Sequence, residues 1–325
     1  MADYKGIQGY TVQKLSSDPG TLSEVVGQLW YNSDVGKFKI AVAGAGAWAA
    51  AATTNETLYG RGGAGITTAA LAFGGGTPLT VNTESYDGTT WTEVANVGTA
   101  RYAGGSCGTQ TAALFASGSL YPATPASSLA SEEWNGSAWA EGNAVNTGRR
   151  QTAAFGTQTA AVLGSGYTTT TIGNVEEYNG TSWSEETDIS TARRNITGFG
   201  ILTAGAVAGG RPSGTLTEEY DGTSWTAGGA INTSSYSAAS TGTQTNALFF
   251  ARMLPPNSAK TEEYDGTSWT ELADMGTARY LTAPASATGI STAALSIDGS
   301  SAAGNVNLVE EWSGSPVTAK VVTVS

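Results

Sequence analysis

The chain has 325 residues, only 13% of them charged, with a net charge of −12, one cysteine and no histidine. That acidic balance argues against a nucleic-acid partner held by its phosphates and against an anionic membrane surface. The missing histidine removes Ser-His-Asp and Cys-His catalysis and His-ligated metals, and Cys107 alone cannot form an internal disulfide.

The first 44 residues carry no repeat. Their start, MADYKGIQGYTVQKLSS, lacks the apolar stretch of a signal peptide, so the chain reads as made in a cytoplasm. Leu29–Asn32 and Lys37–Val42 read as two strands joined by Ser33-Asp34-Val35-Gly36. No apolar run approaches the ~20 residues of a membrane-spanning helix, and no membrane insertion is expected.

From Trp48 onward one phrase recurs. It reads ESYDGTTW at Glu84–Trp91, EEWNGSAW at Glu132–Trp139, EEYNGTSW at Glu176–Trp183, and EEYDGTSW at Glu218–Trp225 and Glu262–Trp269. A worn sixth copy, EEWSGSPV, ends at Val317. The Trp-to-Trp spacings are 48, 44, 42 and 44 residues. A fixed period of this size means stacked supersecondary units, none of which buries its apolar face alone.

The second unit divides into four short segments. Arg101–Ser106 is the first strand, followed by a turn at Cys107-Gly108-Thr109-Gln110. Thr111–Ala116 is a compact apolar run, the pattern of a strand buried on both faces. Ser131–Trp134 is the third strand, Asn135-Gly136 a hairpin signal, and Ala138–Glu141 the fourth strand. Four strands in each of six units predict an all-β fold, a six-bladed β-propeller over residues 45–325, with a β-hairpin leader over residues 1–44. Trp48 lies 43 residues before Trp91. It therefore sits at a fourth-strand position and is a candidate to complete the last blade; the tail Val317–Ser325 competes for that slot.

The apolar run ending in Gly-Gly, then an aromatic, then a Trp resembles the kelch repeat. It is clearest at Gly74-Gly75-Gly76, Tyr86 and Trp91, and at Gly209-Gly210, Tyr220 and Trp225. The phrases TARY, GTQTAAL and EEYDGTSWTE also resemble kelch-like proteins of tailed bacteriophages. The leader GQLWYNSDVGKFKI at Gly27–Ile40 is similar to N-terminal hairpins of their fibre and appendage proteins. The resemblance implies a virion structural protein, held to other virion proteins through residues 1–44.

Most conspicuous residues have a structural reading. The Glu pairs supply 11 of the 27 acidic residues. Adjacent strand residues point to opposite faces, so each pair is expected to form inter-blade ion pairs, not the carboxylate dyad of a glycosidase. Arg101, Arg149, Arg193 and Arg279 are the expected partners, with Leu58 and Ser235 standing in their place in units one and five. The Asp-Gly and Asn-Gly sites lack the run of oxygen donors a calcium loop needs. No catalytic residue, metal or other cofactor is expected.

The loops separate the two ends of the ring. Turns between strands one and two, and three and four, barely vary from unit to unit. Loops from strand two to three differ in every unit, and recognition resides on variable loops carried by a rigid scaffold. Tyr121, Tyr167, Arg211 and Arg252 are the candidate binding residues, since exposed Tyr and Arg are frequent interface anchors. The expected function is that of a non-enzymatic virion protein binding a host-surface glycan or protein. The alternatives are a structural decoration without a ligand and, third, a carbohydrate-active enzyme. A homo-oligomer is compatible with the sequence.

Overall fold

The structure, a computed structural model, describes residues 12–20, 27–43, 46–124, 126–285, 291–314 and 317–322. The start of the leader, the Ser315-Pro316 step of the worn copy and the last three residues of the tail lie outside them. Every regular element among the described residues is a β-strand.

Residues 47–313 form one compact unit. It holds six four-stranded antiparallel sheets, the blades; five are built from strands consecutive in the chain, and the sixth takes its outer strand from Ala47–Ala51. Blade two is representative, with strands Gly105–Thr109, Ala112–Ala116, Ser131–Trp134 and Trp139–Glu141. The inner strands are Gly62–Ile66, Gly105–Thr109, Ala153–Thr157, Thr197–Ile201, Ala239–Thr243 and Ala283–Ala285. Each lies beside the next, and the sixth returns to the first, which closes the propeller.

The inner strand of blade two starts four residues later than expected, and Cys107-Gly108-Thr109 are strand residues. The turn is the pair Gln110-Thr111. Inner strands crowd the axis, so a glycine-rich stretch that resembles a turn is a strand here: a Cβ on Gly105 would lie 2.5 Å from Leu163 Cδ1 and 2.7 Å from Ala154 Cβ.

Trp48 closes the last blade. Ala47–Ala51 pairs antiparallel with Val309–Ser313, placing Trp48 opposite Trp312. The tail strand Val317–Val321 pairs instead with Lys37–Ala43. It belongs to a second unit made of residues 1–46 and 314–325, so the propeller ends at Ser313 and does not run to residue 325. In that unit Gln13–Leu15 runs parallel to Leu29–Asn32, which forms the expected hairpin with Lys37–Ala43. Asp18 ties this small sheet together, accepting from Lys39 Nζ at 2.6 Å and Asn32 Nδ2 at 2.7 Å. Those bonds, Lys39 foremost, hold its carboxyl below the usual range.

The blades are joined by repeated polar contacts. Three outer-strand Trp residues donate the indole N–H to a threonine of the preceding blade: Trp139 to Thr83 Oγ1 at 3.1 Å, Trp269 to Thr217 Oγ1 at 3.0 Å, and Trp48 to Thr261 Oγ1 at 2.8 Å. Trp48 thus occupies the site of its repeat mates. The recurring turn glutamines also reach back a blade. Gln110 Nε2 donates to the Tyr86 carbonyl at 2.6 Å and Gln158 Nε2 to that of Trp134 at 2.6 Å.

The Glu pairs are used, but not as the sequence suggests. The first Glu is buried against an arginine of its own blade or of the crossover leading into it: Arg101–Glu132, Arg149–Glu176, Arg193–Glu218 and Arg279–Glu310. In three pairs the second Glu makes a contact between blades, accepting a tyrosine hydroxyl: Tyr178 on Glu133, Tyr220 on Glu177, Tyr264 on Glu219. Units one and five are not left empty. Arg61 pairs with Glu84 and with Asp298, and Arg252 pairs with Glu262. Burial pushes the Asp298 carboxyl up to about 7.

Candidate functional site

The blade-to-blade crossovers and the loops from strand two to three share one end of the ring, opposite the Asn-Gly and Asp-Gly turns. A closed belt of backbone hydrogen bonds surrounds the axis there. Ala103 N–H donates to Gly60 O at 2.7 Å, Gln151 to Ala103 at 2.7 Å, Asn195 to Gln151 at 2.8 Å and Ser237 to Asn195 at 2.8 Å. Leu281 donates to Ser237 at 3.0 Å, and Gly60 to Leu281 at 2.8 Å, completing the circle. All six residues have left-handed backbones, with φ from 51° to 63°. For the five that are not glycine this costs of order 1 kcal/mol each, offset by the six bonds. Beneath the belt the inner strands line an open cavity of about 150 Å³.

The residue just before each belt residue projects from this end. In blade order these are Tyr59, Tyr102, Arg150, Arg194, Tyr236 and Tyr280, none of them fully buried. We refer to them as the crown. Each makes a two-residue bridge with the loop after strand two: Tyr59 with Gly76, Tyr102 with Ser119, Arg150 with Tyr167, Arg194 with Arg211, and Tyr236 with Met253. Tyr280 pairs in the same way with Ser300. The belt fixes the crown backbone, so its side chains are carried on a rigid base.

The side chains stack on one another. The Arg150 and Arg194 guanidiniums lie over the Tyr167 ring, 4.8 and 4.5 Å from its centroid. Arg211 lies 3.9 Å over Tyr236 and donates Nη2–H to its hydroxyl at 2.6 Å. Arg150 donates Nη1–H to Ser127 Oγ at 3.1 Å. Tyr59 and Tyr102 meet edge to face at 5.4 Å.

The four candidates from the sequence fall in three places. Tyr167 and Arg211 belong to the crown cluster. Tyr121 is 65% exposed on the loop that rises from Ser119, the bridge partner of Tyr102. Arg252 is not presented at all. It is fully buried and paired with Glu262, supplying the cation that Ser235 lacks. The six crown residues themselves, Tyr59, Tyr102, Arg150, Arg194, Tyr236 and Tyr280, were missed. A signal for them exists: the residue after Arg101, Arg149, Arg193, Ser235 and Arg279 is always Tyr or Arg.

Other polar groups are accounted for by the scaffold. Asp221 Oδ1 accepts from the backbone N–H groups of Thr223 and Ser224, both at 2.8 Å. Those bonds, with the backbone N–H of Ser224 foremost, hold its carboxyl down at about 2, as a turn residue. Burial pushes the Cys107 thiol up to about 12, so it supplies no thiolate. Among the described residues no three Cys, His, Asp or Glu side chains converge. No protein-family model matches the chain, and no curated protein matches it.

Proposed function

We propose that this chain is a non-enzymatic structural protein of a tailed-phage particle and that its propeller binds a host-surface ligand through the crown. One observation carries the binding reading. Six of the nine arginines are buried against carboxylates. The other three, Arg150, Arg194 and Arg211, make no salt bridge among the described residues and gather on one rigid, tyrosine-lined face. Stacked Arg and Tyr side chains with little conformational entropy left to lose are what a recognition surface needs.

Attachment to other virion proteins is assigned to the small unit. Its sheet exposes Val12, Val35, Phe38, Val321 and Val322, more apolar surface than so small a sheet needs to leave in water. The virion setting rests on the resemblance of the repeat and hairpin phrases to phage kelch-like proteins.

Particles carrying Arg194→Ala with Arg211→Ala should assemble normally and adsorb to their host at least tenfold more slowly. Adsorption at the wild-type rate would favour a decoration without a ligand.

A further inference from the structure

Building on the binding role proposed for the crown, we infer that it is a subsite for an acidic polysaccharide, with the arginines engaging the oxyanions of carboxylated or sulfated sugars. Arg194 and Arg211 oppose each other in a hydrogen-bonded backbone bridge, with N–H···O distances of 2.9 and 2.8 Å in the two directions. Like charges placed opposite each other repel. In a chain with 27 acidic residues and 15 basic ones, this pair nonetheless has no salt bridge to a carboxylate among the described residues. An external anion relieves the repulsion.

The donors are also shaped for one. Stacking on Tyr167 and Tyr236 fixes the guanidinium planes and leaves their N–H edges free. Arg194 donates no side-chain hydrogen bond among the described residues, and Arg211 donates one. A planar fork held in place matches two oxygens of a carboxylate or sulfate at once.

The surroundings favour a saccharide over an acidic protein. The aromatic rings of the crown, Tyr59, Tyr102, Tyr236 and Tyr280, all carry a hydroxyl, offering a face to sugar C–H groups and an edge to sugar hydroxyls. A protein interface needs an apolar core. Of the four large apolar side chains that the propeller exposes among the described residues, Ile66 and Ile201 end inner strands at the opposite end of the ring, and Tyr121 and Leu129 lie on a single loop, that from strand two to three of blade two, too few for such a core. The net charge of −12 disfavours a densely charged nucleic acid. Three local arginines suffice for sugars that carry one anion per residue or fewer.

The test is binding of the full chain to immobilised alginate (carboxylate), κ-carrageenan (sulfate), neutral dextran and poly-glutamate at 50 and 300 mM salt. The expected result is binding to alginate, κ-carrageenan or both, weakened by salt, with none to dextran and at least tenfold less to poly-glutamate. Which acidic polymer binds identifies the oxyanion. Arg194→Ala with Arg211→Ala should lose at least tenfold in affinity with unchanged melting, and Arg194→Lys should not retain full affinity, because an ammonium cannot make the two-point contact. No binding to either acidic polysaccharide overturns the inference. So does binding that the double substitution leaves intact, or equal affinity for poly-glutamate, which would indicate an acidic protein. The adsorption experiment fails independently. Slowed adsorption without polysaccharide binding removes only the ligand class, and polysaccharide binding with normal adsorption removes only the host-attachment role.

Discussion

Trp48→Gly should lower the melting temperature by roughly 10 °C, from a loss of about 3 kcal/mol or more. Three losses combine. The indole packs 4.9 Å from Phe250 and 5.6 Å from Trp312, ring centre to ring centre. It donates to Thr261 Oγ1 in the neighbouring blade. It also sits in the strand that supplies the outer edge of blade six, where glycine adds a backbone entropy cost. A ring held shut by one strand from the far end of the chain has its weakest seam there, so the effect should exceed that of Trp139→Gly, whose strand is joined to its blade by a four-residue turn. Thermal melting followed by tryptophan fluorescence measures it. An unchanged melting temperature would mean that the ring does not depend on this strand.

The second large effect separates two adjacent arginines. Arg149→Ala should cost about 3–5 kcal/mol, because it leaves Glu176 charged, buried and without its cation. The guanidinium donates Nη1–H to the Asn174 carbonyl at 2.6 Å and Nε–H to the Thr147 carbonyl at 3.1 Å, so those acceptors are orphaned too. Arg150→Ala, one residue along, should cost less than about 1 kcal/mol, since it removes only stacking on Tyr167 and one bond to Ser127 from a partly solvated side chain. Urea midpoints for the two variants give the comparison directly. Equal midpoints would contradict the division of the arginines into buried and presented sets.

The repeated phrases made the blade count and the third strand of each unit readable from the sequence. Ser131–Trp134 is a strand because its residues alternate between an arginine pocket and a neighbouring blade, and that alternation is written in Glu-Glu-aromatic. The inner strands were misplaced because close approach to the axis selects glycines there, and glycines also spell turns. Arg61 and Arg252 were hidden for a different reason. Arg61 directly precedes its inner strand, while Arg252 follows the second strand Asn246–Phe250. Both guanidiniums reach a carboxylate equivalent to those of the other blades, and only three-dimensional proximity reveals that two sequence positions can serve one hole. None of the six crown residues was among the sequence candidates; only two of the side chains stacked with them, Tyr167 and Arg211, were legible as loop residues. The crown itself lay beside the structural arginines and their stand-ins Leu58 and Ser235, and the belt that sets it in place depends on left-handed backbone at Ala103, Gln151 and Leu281, which no residue type there announces.

Arginine-selective labelling with phenylglyoxal, read peptide by peptide by mass spectrometry, tests the division of the arginines most directly. In the folded chain Arg150, Arg194 and Arg211 should react while Arg61, Arg101, Arg149, Arg193, Arg252 and Arg279 stay unmodified, and the reactive three should become protected when the protein is bound to its target surface. Labelling of Arg252 as fast as Arg211, or a bound complex in which the crown arginines remain fully reactive, would contradict it.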